Sequence, residues 1–157
     1  MGENGNVYNH GSQGFLARAL SCMDEGDRLL ETLKWLMPYD TTKHPTAKVF
    51  TPPYAIVNCY QQLPGFEHRG LMCFLTGSVA MAMRGIYEWM FGIRPTLDGL
   101  EISPCLPDSM KDVVVNTSYM GNKLTIEIKN SDNIYCNGKK LTQKKKSLIS
   151  GEEVFVV

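Results

Sequence analysis

The sequence predicts an α+β chain, with helices in its first part and antiparallel strands in its second. Three observations carry this. Up to Arg94-Pro95 the apolar residues recur at helical spacing. Beyond that point they alternate with a period of two. Turn chemistry at Met120-Gly121-Asn122 and Asn137-Gly138 separates alternating runs, as hairpins require. The change of period places a boundary between Gly92 and Gly99, dividing the chain into 1–94 and 95–157.

The first helix is expected from Ser12 to Glu25, with Phe15, Leu16, Ala19, Leu20 and Met23 on its apolar face. Gly26 suits a left-handed C-cap. The second helix is expected from Asp27 to Leu36, striped by Leu29, Leu30, Leu33 and Leu36, and Pro38 stops it. So short a turn between them makes a helical hairpin. A long polar segment, Tyr39 to Gly70, follows; it carries four prolines, and a helix or strand over Ala55–Gln61 interrupts it. The third helix starts after Thr76-Gly77 and reaches Phe91, with Val79, Ala80, Met83, Ile86, Tyr87 and Met90 on its apolar face. Strands are expected at Gly99–Ile102, Val113–Tyr119, Lys123–Lys129, Ile134–Cys136, Lys139–Leu141, Ser147–Ile149 and Val154–Val157. Three one-sided helices do not close a core by themselves. The chain also opens on a Gly/Asn-rich motif rather than an element. Both features are expected of the tail of something larger.

Composition narrows the function. The chain has 157 residues, 43% hydrophobic and 20% charged, enough for one ordinary domain or two small ones. Sixteen basic residues balance sixteen acidic ones. That balance argues against a nucleic-acid partner or an anionic membrane surface. The lysines at 139–140 and 144–146 read as solvated turn residues. No apolar run approaches the about 20 residues that cross a bilayer, and the start lacks the pattern of a signal peptide. The five cysteines are scattered without C-x-x-C spacing, so reduced thiols in a cytoplasmic protein are expected. Cys22, Cys59 and Cys73, among apolar neighbours, read as small core residues. The three histidines are far apart, and no metal site is expected.

Two segments suit an anion. His10, beside Gly11 and just ahead of a helix, can reach a ligand at the helix N-terminus, where N–H groups and a partial positive charge collect. It reads equally as a cap or surface residue. Thr76-Gly77-Ser78 offers two hydroxyls and exposed N–H groups at a helix start, with Gly77 allowing close approach. It reads equally as a plain N-cap. No Walker loop, dinucleotide fingerprint or G-x-S-x-G elbow is present. Asp24, Glu25 and Asp27 read as solvated, Glu67 as structural or ligand-facing. No carboxylate pair announces glycosidase geometry.

In order, Asn4-Gly5-Asn6-Val7-Tyr8-Asn9-His10-Gly11, Gly26-Asp27-Arg28, Met37-Pro38-Tyr39, Pro53-Tyr54, Asn58-Cys59-Tyr60 and Leu75-Thr76-Gly77-Ser78 resemble one family. The most specific match is Gly92-Ile93-Arg94-Pro95, Asp98-Gly99-Leu100 and Ile102-Ser103-Pro104-Cys105-Leu106-Pro107. The chain from Glu3 to Asn130 is similar to the inverting disaccharide phosphorylases, the cellobiose and chitobiose phosphorylases of glycoside hydrolase family 94.

The resemblance implies the last helices of an (α/α)6 barrel followed by a C-terminal, β-sandwich-like antiparallel domain. It implies a hexosyltransferase-type enzyme that cleaves a β-linked glucosyl disaccharide with inorganic phosphate. Inversion gives an α-sugar 1-phosphate, without metal or cofactor. His10, Thr76 and Gly77 match the family's phosphate-binding residues. Glu3 and Tyr54 fall at substrate-binding positions. The family's catalytic aspartate and a phosphate-binding arginine lie upstream of the matching region, as do its N-terminal β-sandwich and most of the barrel. Gly2 stands where some relatives carry lysine, and Phe74 replaces an aromatic Trp or Tyr. The chain is therefore expected to be a fragment with part of a phosphate site, inactive alone. An upstream polypeptide would complete it, and a homodimer is compatible with the family. The alternatives are a non-catalytic structural or carbohydrate-contacting fragment, or an unrelated helical-plus-β binding domain.

Overall fold

The computed structural model describes residues 6–8, 13–36, 55–61, 63–65, 69–73, 77–97, 99–129, 133–141, 147–148 and 154–155. It is a mixed α+β fold. Helix α1 (Phe15–Cys22) and helix α2 (Gly26–Leu36) form the expected hairpin, turning through Asp24 at φ 59°. Helix α3 (Gly77–Arg84) continues as a π-helical turn, Gly85–Met90. There the Phe91 N–H donates to the Ile86 carbonyl, five residues back, at 2.9 Å.

Three strands come from segments with no readable alternation. Strand β1 (Asn6–Tyr8) pairs antiparallel with β2 (Cys59–Gln61), and β2 with β3 (Gly70–Leu71). The opening motif thus holds an element after all, and Ala55–Gln61 contributes a strand and no helix. Strand β4 (Ile93–Thr96), inside the expected boundary segment, pairs with β5 (Gly99–Ile102), and Arg94 bridges to Glu101 across them. Strands β6 (Asp112–Tyr119), β7 (Asn122–Lys129), β8 (Asn133–Cys136) and β9 (Lys139–Lys140) make a meander in sequence order. Strands β10 (Ser147–Leu148) and β11 (Val154–Phe155) pair with each other.

Two apolar cores result. One joins Ile93, Leu100 and Ile102 to Val115, Leu124, Ile126, Ile128, Ile134 and Cys136. The alternation of β7 puts Leu124, Ile126 and Ile128 inward, as expected. The other joins Ala17, Leu20, Leu29, Leu33, Leu36, Ala82, Trp89, Met90 and Cys105. The full burial of Leu29, Leu33 and Leu36 contributes about 1.5–3 kcal/mol per side chain. Phe91 and Leu106 pack against both cores. The turn after β5 ties the parts together. Ser103 and Cys105 N–H groups donate to the Gly92 and Met90 carbonyls at 2.9 Å, and the Asp108 N–H to Asp27 at 3.2 Å.

Two helix faces differ from expectation. Of the α1 stripe only Leu20 is buried; Phe15 and Met23 are each 65% exposed. Of the α3 stripe, Val79, Met83 and Tyr87 are exposed. The buried sides mix large and small residues: Ala17 beside Leu20 on α1, and Ser78, Ala82 and Gly85 beside Trp89 and Met90 on the third helix, Met90 being buried as expected. Small residues let helix axes approach closely. A Cβ on Gly85 would sit 2.3 Å from Leu33 Cδ2. Cys22 is also exposed, contrary to its reading as core, and Cys73 is half-buried; Cys59 is fully buried as expected.

Candidate functional site

A small three-stranded sheet is built from segments next in sequence to several candidate residues. Register pairs Tyr8 with Cys59, and Cys59 with Leu71. These three backbone positions therefore lie side by side at one end of the sheet. From that end the chain runs on to His10, two residues after Tyr8. It enters the same end from Tyr54 through Asn58, and leaves it again towards Thr76 and Gly77. Glu3 precedes Asn6, which pairs with Gln61 at the opposite end, so the sheet does not group it with the others.

Of the five candidate residues, only Gly77 is described; Glu3, His10, Tyr54 and Thr76 lie outside the described residues. Gly77 is exposed and is the first residue of α3. The first four N–H groups of a helix have no intrahelical partner and carry roughly half a positive charge together. An oxyanion is the matching ligand chemistry.

Ser78 departs from the sequence reading. Its side chain is fully buried, and its hydroxyl donates to Asn58 Oδ1 at 3.4 Å. The second hydroxyl expected at the Thr76-Gly77-Ser78 helix start is thus engaged inside the protein. Asn58 is 7% exposed, and its backbone N–H donates to the Leu71 carbonyl at 3.2 Å. Sequence reasoning gave Asn58 no role. The only signal was its place in the motif Asn58-Cys59-Tyr60.

Cys59, next in sequence, is fully buried. Burial pushes its thiol pKa up, so the neutral form persists at neutral pH. Among the described residues no cluster of three or more His, Cys, Asp or Glu side chains is placed to hold a metal. No helix among them is long and apolar enough to cross a membrane.

Comparison of the sequence with known proteins finds relatives. The chain is similar to disaccharide phosphorylases. It is 28% identical over 154 residues to the solabiose phosphorylase of Paenibacillus borealis, covering 97% of this chain and 19% of that protein. It is 29% identical over 131 residues to the cellobionic acid phosphorylase of Neurospora crassa, covering 81% and 16%. It is 25% identical over 144 residues to the N,N'-diacetylchitobiose phosphorylase of Vibrio proteolyticus, covering 89% and 17%. The chain thus spans less than a fifth of the length of these curated relatives. No protein-family model matches it.

Proposed function

We propose that this chain supplies part of the phosphate site of an inverting glycoside phosphorylase of glycoside hydrolase family 94. The observation that carries the reading is the sheet register. It joins the chain segments leading to His10, Tyr54 and Thr76-Gly77 at one end of β1-β2-β3. Residues far apart in sequence can share one ligand only if the fold gathers their segments, and the pairing of β1 with β2 and of β2 with β3 supports such a gathering.

Each residue then has a task. The Gly77 N–H and the Thr76 hydroxyl hold phosphate oxygens, and His10 adds a charge-assisted bond. Holding the nucleophile at the anomeric carbon converts a bimolecular encounter into a positioned attack. Phosphate occupies the place where an inverting hydrolase keeps its water. The bond from phosphate oxygen to the anomeric carbon forms as the bond to the leaving oxygen breaks. A carboxylic acid from outside residues 1–157 protonates that oxygen. The products are an α-sugar 1-phosphate and the shortened acceptor. Glu3 and Tyr54 contact the sugars. In this reading residues 1–94 are terminal helices of an (α/α)6 barrel and 95–157 a β-sandwich-like domain. The outward apolar faces of α1 and α3 support the first assignment, since barrel helices bury both sides. The separate β core supports the second.

The test has two parts. Inorganic phosphate is titrated against the chain by phosphorus NMR, with His10→Ala and Thr76→Ala as comparisons. Binding by the wild type, weakened by either substitution, is expected. Absence of wild-type binding would overturn the phosphate assignment. The chain is then grafted in place of the matching segment of the Paenibacillus borealis protein. The graft is incubated with phosphate and a panel of β-glucosyl disaccharides. Sugar 1-phosphate from the graft, but not from the chain alone, is expected. Turnover by the chain alone would place the general acid within it, Glu3 and Glu67 being the first residues to substitute. A folded graft that stays silent would favour a structural or carbohydrate-contacting segment.

A further inference from the structure

Asn58 and Ser78 are two of the three buried polar side chains among the described residues. The third, Thr32, donates its hydroxyl to the Arg28 carbonyl of its own helix at 2.9 Å. The Ser78 hydroxyl instead reaches a residue 20 positions away. Nothing about helix formation asks for it. Alanine at that position would favour the helix more and bury without a polar atom. The bond joins two structures that the phosphate reading needs at a fixed separation. Asn58 sits at the sheet end, its backbone held by Leu71. Ser78 adjoins Gly77 in the first turn of α3.

We infer that Asn58 is a positioning residue. Through Ser78 it sets where the first turn of α3, and with it the Gly77 N–H, stands relative to the sheet end from which the chain runs to His10. This rests on the phosphate reading. A short amide side chain on an anchored backbone has few rotamers, so it fixes the helix start in one place. An apolar pair would fill the same volume without selecting one geometry. At 3.4 Å the bond is long. Its share of folding stability is correspondingly small, and its loss is read in the geometry of the anion site.

The experiment compares wild type, Ser78→Ala, Asn58→Ala and the double variant. Phosphate affinity is measured by phosphorus NMR titration, and the melting temperature is measured alongside. Each single change is expected to weaken phosphate binding about two- to threefold, the low end of one net hydrogen bond. The double variant is expected to be no weaker than the weaker single one, because both changes remove the same link. Ser78→Ala keeps the helix, so its melting temperature should stay near that of the wild type. A merely structural bond would lower the melting temperature and leave phosphate affinity unchanged. That result, or additive losses in the double variant, overturns the inference while leaving the phosphate site standing. No binding by the wild type overturns both readings, and so the two failures are distinguishable.

Discussion

Replacing Gly26 with alanine tests how the helices are fixed to the strands. Gly26 opens α2 with an ordinary helical backbone, so its glycine is not required by φ. It is required by space. An added Cβ would lie 2.2 Å from the Leu106 carbonyl oxygen, 2.5 Å from its carbon and 2.9 Å from the Pro107 nitrogen. All three are backbone atoms, and ordinary contact begins near 3.4 Å. The turn at 103–107 must therefore retreat by about 1 Å, against packing as dense as a crystal. That retreat strains the Asp27–Asp108 hydrogen bond and the Cys105–Met90 bond. Overpacking of this kind costs about 1–3 kcal/mol, and losing one hydrogen bond adds about 1 kcal/mol. Alanine returns less than about 1 kcal/mol as the better helix former. The net loss is about 2–3 kcal/mol, or roughly 5–10 °C in melting temperature for a chain of this size. Gly14→Ala is the control. Its Cβ meets the Met81 side chain, closest at the flexible methyl end, which can swing aside. Urea unfolding of both variants should separate them by at least about 1.5 kcal/mol. Equal stabilities would refute the claim that the 103–107 turn is locked against α2.

Further outcomes follow from local geometry. Asn137 holds φ at 50°, and its Oδ1 accepts the Thr125 N–H at 2.9 Å. Asn137→Ala should cost about 2 kcal/mol, by left-handed strain plus the lost bond, and Asn137→Gly clearly less; the reverse order in urea unfolding would contradict this. Thiol labelling in the native state should modify exposed Cys22 rapidly and buried Cys59 only on unfolding, as mass spectrometry of partly labelled protein will show. Burial raises the folded-state pKa of Cys59 above its unfolded value. Its contribution to stability is therefore complete below the unfolded thiol pKa and falls as pH rises through the thiol range. Cys59→Ser should flatten that alkaline slope, and an unchanged slope would exclude the thiol as its cause.

The strands were far more legible than the helix faces. Leu124, Ile126 and Ile128 alternate with polar residues, and Met120-Gly121 and Asn137-Gly138 supply positive φ at both turns. Alternation and turn chemistry agree there, so the register is overdetermined. Strands β1 and β3 escaped notice, and β2 stayed open as helix or strand, because two or three residues show no period. The sheet they make joins the chain segments that precede His10 and follow Tyr54 in sequence. The burial of Ser78 was hidden too, since a serine at a helix start reads as a cap whichever way its hydroxyl turns. The start of α3 at Gly77 was legible from the Thr76-Gly77-Ser78 run, and the phosphate role of His10, Thr76 and Gly77 rests on the resemblance to phosphorylases.

The outward stripes bear directly on what the chain does. An apolar stripe normally marks the face a helix buries. Here Phe15 and Met23 on α1, and Val79, Met83 and Tyr87 on the third helix, are exposed, while Ala17 and Leu20, and Ala82, Gly85, Trp89 and Met90, face the core. If the core holds these helices by the opposite faces, Phe15→Lys and Met83→Lys should each change stability by no more than about 0.5 kcal/mol, as surface substitutions do. Leu33→Ala, at a fully buried position, should cost about 2–5 kcal/mol. A loss above about 2 kcal/mol for Phe15→Lys would mean that the stripe is packed inward and that the helices are turned the other way. The same substitutions in the graft onto the longer phosphorylase carry the opposite expectation. If the proposed barrel is right, the stripes there lie against added helices, and each buried lysine should lower stability by several kcal/mol. A stripe that is indifferent in the chain and critical in the graft is the behaviour of helices belonging to a larger barrel.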